Sequence, residues 1–233
     1  MAVKPILFNT EMVCVILDGR KTCTRRIVKG FIPDDAIWGY TVFTPKGYIS
    51  CRGTFPIGYG EKFFKMPYQK GDILYVRETW TRFECWNCEG DEAGNCAKEP
   101  HISVLEKQCG CYLYRATSEI SGDARWHPSI HMPKEAARIW LKVTDVRVER
   151  LQSITEEGAI REGAEGEKCH HPCVGAFGCT DCMNIGWIEP PRVEFMQIWN
   201  STIKKSDIDR YGWNANPWVW VIEFERCEKP KEE

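Results

Sequence analysis

Residues 19–26 read Gly19-Arg20-Lys21-Thr22-Cys23-Thr24-Arg25-Arg26, and the sequence around this run constrains how the chain must fold. Upstream, Val13, Ile16 and Leu17 recur at helical spacing, with Asn9 or Thr10 able to cap the start and Gly19 able to end it. A short amphipathic helix is therefore expected between the strand-like Pro5-Ile6-Leu7-Phe8 and the run. From Arg20 to Lys29 the chain carries five basic residues, Arg20, Lys21, Arg25, Arg26 and Lys29, and no acid. Such a cluster can hold about one or two phosphates, and it also fits a solvated turn. Lys21 and Thr24 stand three apart, which is one face of a helical turn but opposite faces of a strand. If both serve one site, the chain must curve after Gly19.

Beyond the run, β-branched and aromatic residues dominate. Residues 38–52 alternate around Pro45-Lys46-Gly47 as a hairpin does, and Gly71-Asp72 opens the strand Ile73-Leu74-Tyr75-Val76. Cys111-Tyr112-Leu113-Tyr114, residues 139–151 and residues 218–224 complete the strands. Ser153-Ile154-Thr155-Glu156 has the form of a capping box opening a helix through Glu162, ended by Gly163. A further helix is expected over 193–203. Strands with short helices between them point to an α+β fold, a small mixed β-barrel with α segments. With no internal repeat and no low-complexity linker, residues 1–233 read as a single domain, interrupted by cysteine-rich insertions at about 84–111 and 164–190.

Composition narrows the class. In 233 residues, 43% hydrophobic and 27% charged side chains, with a mean hydropathy of -0.40, match a globular chain rather than a disordered or membrane one. No apolar run approaches the ~20 residues that span a bilayer, and MAVKPILFNTE is a poor secretory leader, so no membrane partner and a cytoplasmic location are expected. The net charge of -2 argues against a protein that coats duplex nucleic acid, though not against a local basic groove. Ten Trp, eight Tyr and ten Phe suit a compact β core first and base-stacking platforms second.

The thirteen cysteines are the main anomaly, because in a reducing compartment they read as metal ligands before disulfides. Cys179-Thr180-Asp181-Cys182 and Cys85-Trp86-Asn87-Cys88 are both Cys-x-x-Cys knuckles, each able to fill two corners of a zinc tetrahedron. Cys169 and Cys173 complete the second cluster. The first draws its remaining ligands from Cys96, Cys109 and Cys111, with Cys96 and Cys109 taken as the pair. A composite site sharing one knuckle from each cluster, substitution by His170 or His171, and reduced unliganded thiols are the alternatives. One or two zinc ions held by protein alone would be structural, and no organic cofactor is expected.

The run after the short helix resembles the signature of the ASCH domain, a PUA-like β-barrel family. Lys4-Pro5-Ile6-Leu7-Phe8, the stretch Gly71-Asp72-Ile73-Leu74-Tyr75-Val76-Arg77-Glu78-Thr79-Trp80, Trp126-His127-Pro128-Ser129-Ile130-His131-Met132-Pro133 and Asn216-Pro217-Trp218-Val219-Trp220-Val221 are similar to large ASCH proteins of phages and prophages. The resemblance implies a PUA-like barrel in a bacterial host. Thr24 stands where the family pattern usually has glutamate, a departure shared with the small ASCH amidohydrolases that act on N4-acetylcytidine. That subgroup's lysine, threonine and later glutamate map onto Lys21, Thr24 and Glu162, the last from Ala159-Ile160-Arg161-Glu162.

Amide hydrolysis needs an activated oxygen, charge stabilisation at the carbonyl and protonation of the departing nitrogen. Thr24 as nucleophile, Lys21 as its base and Glu162 as proton shuttle meet two of these needs, and Arg26 or a backbone N–H meets the third. Like-charge repulsion from Arg20, Arg25 and Arg26 would favour a neutral Lys21. Arg20, Arg25, Arg26, Arg77 and Glu78 are the candidate substrate-binding residues, Arg77 and Glu78 pointing to opposite faces at a strand end; a structural ion pair is the other reading of those two. The loop from Trp126 to His131 reads as a core cover before a lid. The leading expectation is an amidohydrolase acting on an N-acylated nucleoside. The competing readings are a module that binds a modified base or single-stranded RNA without turnover, a ribonuclease, and a phage accessory protein that docks a host partner through zinc-stapled insertions.

Overall fold

The computed structural model describes residues 2–84, 110–118, 125–169 and 187–230. In chain order the elements are β1 (Val3–Leu7), α1 (Thr10–Leu17), β2 (Cys23–Ile27), β3 (Ile37–Gly39), β4 (Tyr48–Phe55), β5 (Gly58–Lys65), β6 (Ile73–Arg77), β7 (Trp80–Glu84) and β8 (Gly110–Tyr114). There follow β9 (Trp140–Arg150), α2 (Glu156–Glu162), β10 (Glu167–Lys168), β11 (Trp187–Glu189), α3 (Pro191–Thr202), α4 (Ile208–Tyr211) and β12 (Trp218–Cys227). The fold is mixed α+β, mostly sheet with short helices.

A five-stranded sheet in the order β1-β6-β9-β12-β2 forms the frame. The β1–β6 pair is parallel and the others are antiparallel. β12 lies inside the sheet and is buried on both faces, which explains its nearly unbroken apolar run. Trp220 and Ile222 face a core with Val13, Ile16, Leu74 and Val143. Val219 and Val221 face the opposite cluster of Leu151, Ile154, Ala159, Phe195 and Trp199. The sheet therefore holds α1 on one side and α2 with α3 on the other.

The expected barrel does not close. β1 and β2 are the two edges of the sheet, with no ladder between them among the described residues. The eight-residue helix α1 occupies the connection, and a side chain spans the gap: Arg26 Nη2 donates to Leu7 O at 2.7 Å. This opening is where the candidate site lies.

Local signals settle the helix ends. Asn9 Oδ1 accepts from Met12 N at 2.9 Å, and Gly19 takes φ +77°, a left-handed conformation that glycine adopts without steric cost. The capping box at 153–156 is displaced. Leu151–Ser153 form a 3-10 turn, Thr155 is the cap, and its Oγ1 accepts from Gly158 N at 3.0 Å. Glu156 instead accepts from Arg192 N at 2.9 Å, one of the N–H groups left without an intrahelical partner at the start of α3.

The hairpin expected over 38–52 is the β3–β4 pair, with Trp38 opposite Cys51, and β5 adds a third strand that the glycines at 58 and 60 hide in the sequence. Both cysteine-rich stretches leave the frame through paired strands. Glu84 lies opposite Gly110 in the β7–β8 ribbon, and β10 pairs with β11. Cys111 is thus part of β8 rather than of a loop.

Asp72 ties the start of β1 to β6. Its carboxylate accepts from Ala2 N at 3.1 Å, Lys4 Nζ at 2.6 Å and Gln69 N at 3.0 Å. Burial alone pushes this carboxyl up, but the hydrogen bonds from Lys4, Gln69 and Ala2 outweigh it and hold the group below its ordinary value. A carboxyl depressed in the folded state contributes stability above its unfolded pKa, near ~4, and loses it as pH falls through the folded value. Asp72→Asn is expected to cost about 2 kcal/mol at neutral pH. Urea melts should show the gap to the wild type narrowing as pH drops below ~4; a gap independent of pH would contradict this.

Candidate active site

The open side of the sheet holds a cleft of about 150 Å3 lined by residues of the β1–α1 junction, the 19–26 run, the end of α2 and one face of α3. Four buried polar side chains, Lys21, Thr24, Arg25 and Glu162, line it. Burying so many polar groups is costly unless they satisfy one another.

The turn before β2 supplies the curvature that the spacing of Lys21 and Thr24 demands. Arg20 N and Lys21 N both donate to Val15 O, at 3.1 and 3.2 Å, and Thr22 N donates to Arg161 O at 2.9 Å. The chain bends around the end of α1 and against α2 before β2 begins. Lys21 Nζ then donates to Glu162 Oε2 at 2.7 Å and to Glu162 O at 2.6 Å. Its ammonium also lies 5.7 Å from the Phe8 ring centre.

Glu162 is the last residue of α2, and Gly163 fixes its place. Gly163 takes φ +104°, and a Cβ there would lie 2.8 Å from Val15 Cγ1. Only glycine lets α2 end this close to α1. The second carboxylate oxygen of Glu162 accepts from Arg25 Nη1 at 3.1 Å. Arg25 also pairs with Glu149 at 3.6 Å, and Glu149 is held in turn by Arg147 at 2.5 Å.

Thr24 sits opposite Ile222 in the β2–β12 ladder. By strand alternation Thr24 and Arg26 lie on one face of β2, Cys23 and Arg25 on the other. The cleft lies along the edge of β2, where both faces reach it. Among the described residues no hydrogen bond engages the Thr24 hydroxyl. Arg26, bonded to Leu7 O, lies over Phe8 at 5.4 Å.

Phe195 and Trp199, one helical turn apart on α3, complete the wall. Trp199 is anchored by its Nε1–H donating to Tyr211 O at 2.8 Å. Cys23 is buried and does not line the cleft. Burial first, and the Glu162 carboxylate second, push its thiol up to about 12, so the reactive thiolate is absent at neutral pH.

Three of the expected site residues lie elsewhere. Arg20 is not among the residues lining the cleft and pairs with Glu165 at 2.6 Å and Asp18 at 3.1 Å; the charge in contact with Lys21 is the Glu162 carboxylate. Arg77 donates to Ile130 O at 3.1 Å. Glu78, 1% exposed, takes a two-point grip from Arg138 at 2.9 and 2.8 Å. It is a structural ion pair, because a carboxylate at that depth needs a guanidinium partner. The segment after Trp126 covers core, with Met132 fully buried beside Trp140 and Ala136.

Phe8, Phe195, Trp199 and Glu149 were not anticipated. The four-residue spacing of Phe195 and Trp199 marks one helix face, but nothing local says which cleft that face closes. Of the expected zinc ligands, Cys85, Cys88, Cys96, Cys109, Cys173, Cys179 and Cys182 lie outside the described residues. Only Cys169 is within them. Among the described residues no group of three or more His, Cys, Asp or Glu could hold a metal. No helix among them is long and apolar enough to cross a membrane.

No protein-family model, no curated protein and no solved structure matches this chain.

Proposed function

We propose that the protein is an ASCH-type amidohydrolase acting on an N-acylated nucleoside such as N4-acetylcytidine. The observation that carries this reading is the meeting of Lys21 and Glu162 at 2.7 Å in the cleft that Thr24 lines with its hydroxyl unengaged. The size of the cleft agrees. A space of about 150 Å3 is one that accepts a single benzene-sized ring, and it is below the range of about 300–1,000 Å3 for larger ligands. A base would enter between the rings of Phe8, Phe195 and Trp199, leaving the sugar outside.

In the proposed sequence, Thr24 Oγ adds to the acyl carbon while its proton passes to Lys21 Nζ. Lys21 accepts it after giving one of its own protons to Glu162 across their contact. Arg26 stabilises the developing oxyanion. Glu162 then protonates the departing exocyclic amine of the base as the C–N bond breaks, leaving an acyl ester on Thr24. Lys21 again passes a proton to Glu162 and takes one from the attacking water, and Glu162 returns its proton to Thr24 Oγ as the acyl–oxygen bond breaks, which releases the carboxylic acid and restores the hydroxyl.

The test is to incubate the purified protein with N4-acetylcytidine, and separately with short single-stranded RNA. Release of acetate and cytidine supports the proposal. Saturable binding without turnover would replace it with the binding-only reading, to which the two arginines and three aromatic rings of the cleft are also suited.

The cysteine-rich stretches are proposed to hold one or two structural zinc ions through Cys169, Cys173, Cys179 and Cys182, and through Cys85, Cys88, Cys96 and Cys109. The all-thiolate donor set supports this, as does the pairing of β7 with β8 and β10 with β11, which brings the two ends of each stretch together. Metal analysis of protein purified without chelator is expected to find about one zinc or more per chain, and chelation should lower Tm. Metal-free protein of equal stability would end the proposal.

A further inference from the structure

The three-stranded sheet β3-β4-β5 ends in an open edge. β5 is eight residues long, contains no proline, and pairs with β4 without a bulge from Gly58 to Lys65. Long, regular edges are normally blunted by proline, bulges, short length or charged side chains, because their free N–H and C=O groups invite another strand; β5 has only the last of these, Glu61, Lys62 and Lys65, and such charges repel a strand unless it brings the opposite ones. Met66 N donates to Gly47 O at 2.9 Å. By the alternation of an antiparallel ladder, Phe64, Lys62 and Gly60 therefore turn their backbone groups toward β4, and Lys65, Phe63, Glu61 and Tyr59 turn theirs to the open edge. Among the described residues nothing pairs with that edge. The hairpin end of this edge is apolar, with Tyr59 70% and Ile57 100% exposed.

We infer that this edge pairs with the same edge of a second copy, joining two three-stranded sheets into one antiparallel sheet across a two-fold axis. The charge pattern selects the occupant and the register. An axis at Glu61 sets glutamate against glutamate, and an axis at Lys62 sets lysine against lysine, both unfavourable when directly opposite. An axis at Phe63 places Phe63 against Phe63 of the partner subunit and Glu61 against Lys65 of the partner subunit. Symmetry makes the opposite-charge pair twice. In this register Glu61, Phe63 and Lys65 all direct their backbone groups at the partner, so the ladder and the charges agree. An unrelated peptide has no reason to match this pattern, whereas a second copy matches it by construction.

One short ladder buries less than the roughly 1,200 Å2 of a standard stable interface, so the dimer should dissociate on dilution. Sedimentation velocity of the full chain under reducing conditions, across the micromolar range, is expected to show a concentration-dependent monomer–dimer equilibrium. Lys65→Glu should raise the dissociation constant by about tenfold, since two attractive pairs become repulsive. Glu61→Lys should do the same, although it also removes the acceptor of a hydrogen bond from Ser50 Oγ. The double exchange Glu61→Lys/Lys65→Glu should restore dimerisation. All of these positions are exposed, so thermal melts should confirm intact folding. A monomer at every concentration, a dimer indifferent to the single reversals, or a double exchange as weak as either single one would each overturn the inference.

Discussion

Thr24→Ala is expected to abolish turnover of N4-acetylcytidine while leaving the melting temperature almost unchanged. The two halves of this expectation have one cause. The hydroxyl has no hydrogen-bond partner among the described residues, so its removal breaks no internal contact, and the remaining side chain keeps its packing against the strand. A hydroxyl whose only use is chemical can be lost without cost to the fold. With the nucleophile gone the acyl ester cannot form, and what remains is the small residual rate that binding and the oxyanion donor give to direct attack by water. The Cys23 thiol is held in its protonated form by burial, and Thr22 bonds outward to Arg161 at 3.3 Å. Lys21→Ala should lower kcat by about 10²–10⁴-fold, the range for loss of a general base. This variant also removes the ammonium between Glu162 and the Phe8 ring, so some destabilisation will accompany it. Steady-state kinetics with a melt on each variant separates the effects, and full activity in Thr24→Ala would sink the mechanism.

Glu162→Ala is expected to have the largest effect on stability of any substitution of a polar residue in the cleft, about 3–5 kcal/mol. Lys21 and Arg25 have side chains only 2% and 3% exposed, and Glu162 is the carboxylate facing both at 2.7 and 3.1 Å. Without it two cations remain buried, and among the described residues the remaining carboxylate near them is the more distant Glu149, 3.6 Å from Arg25. Glu162→Gln keeps an acceptor for one of them and should recover part of the loss. Chemical denaturation decides the matter: a Glu162→Ala change below about 1 kcal/mol, the value of a solvated surface pair, would mean that water reaches these charges. The same measurement bears on catalysis, since a cleft wet enough to solvate Lys21 would not sustain proton transfer along the Lys21–Glu162 contact.

Local interactions made much of this molecule legible in its sequence. Asn9 capping α1, Gly19 ending it, and the β-branched and aromatic runs that mark β6, β9 and β12 all act within a few residues. Their causes are steric and short-ranged, so composition and spacing are enough to find them. The displaced cap at Thr155 shows where that stops. Ser153 and Glu156 have the spacing of a capping box, but Arg192 N, 36 residues away, claims Glu156, and Thr155 caps the helix instead.

Sequence alone determined the α+β class, the basic turn after a short helix, and the concentration of chemistry-bearing residues in 19–26. Which of those residues act together was a tertiary decision. Lys21 and Glu162 are 141 residues apart, and their pairing was expected only through a family resemblance, never through spacing. Glu78 and Arg77 carried the same local promise as Arg25, yet Arg138, 60 residues on, draws Glu78 into a structural pair while β2 at the sheet edge leaves Arg25 facing the cleft. The barrel stayed open for a similar reason. Strand patterning specifies that β1 and β2 exist and which side chains they bury, but a ladder between them requires two edges to meet in space, and the α1 connection together with the Arg26 guanidinium occupies that meeting place instead.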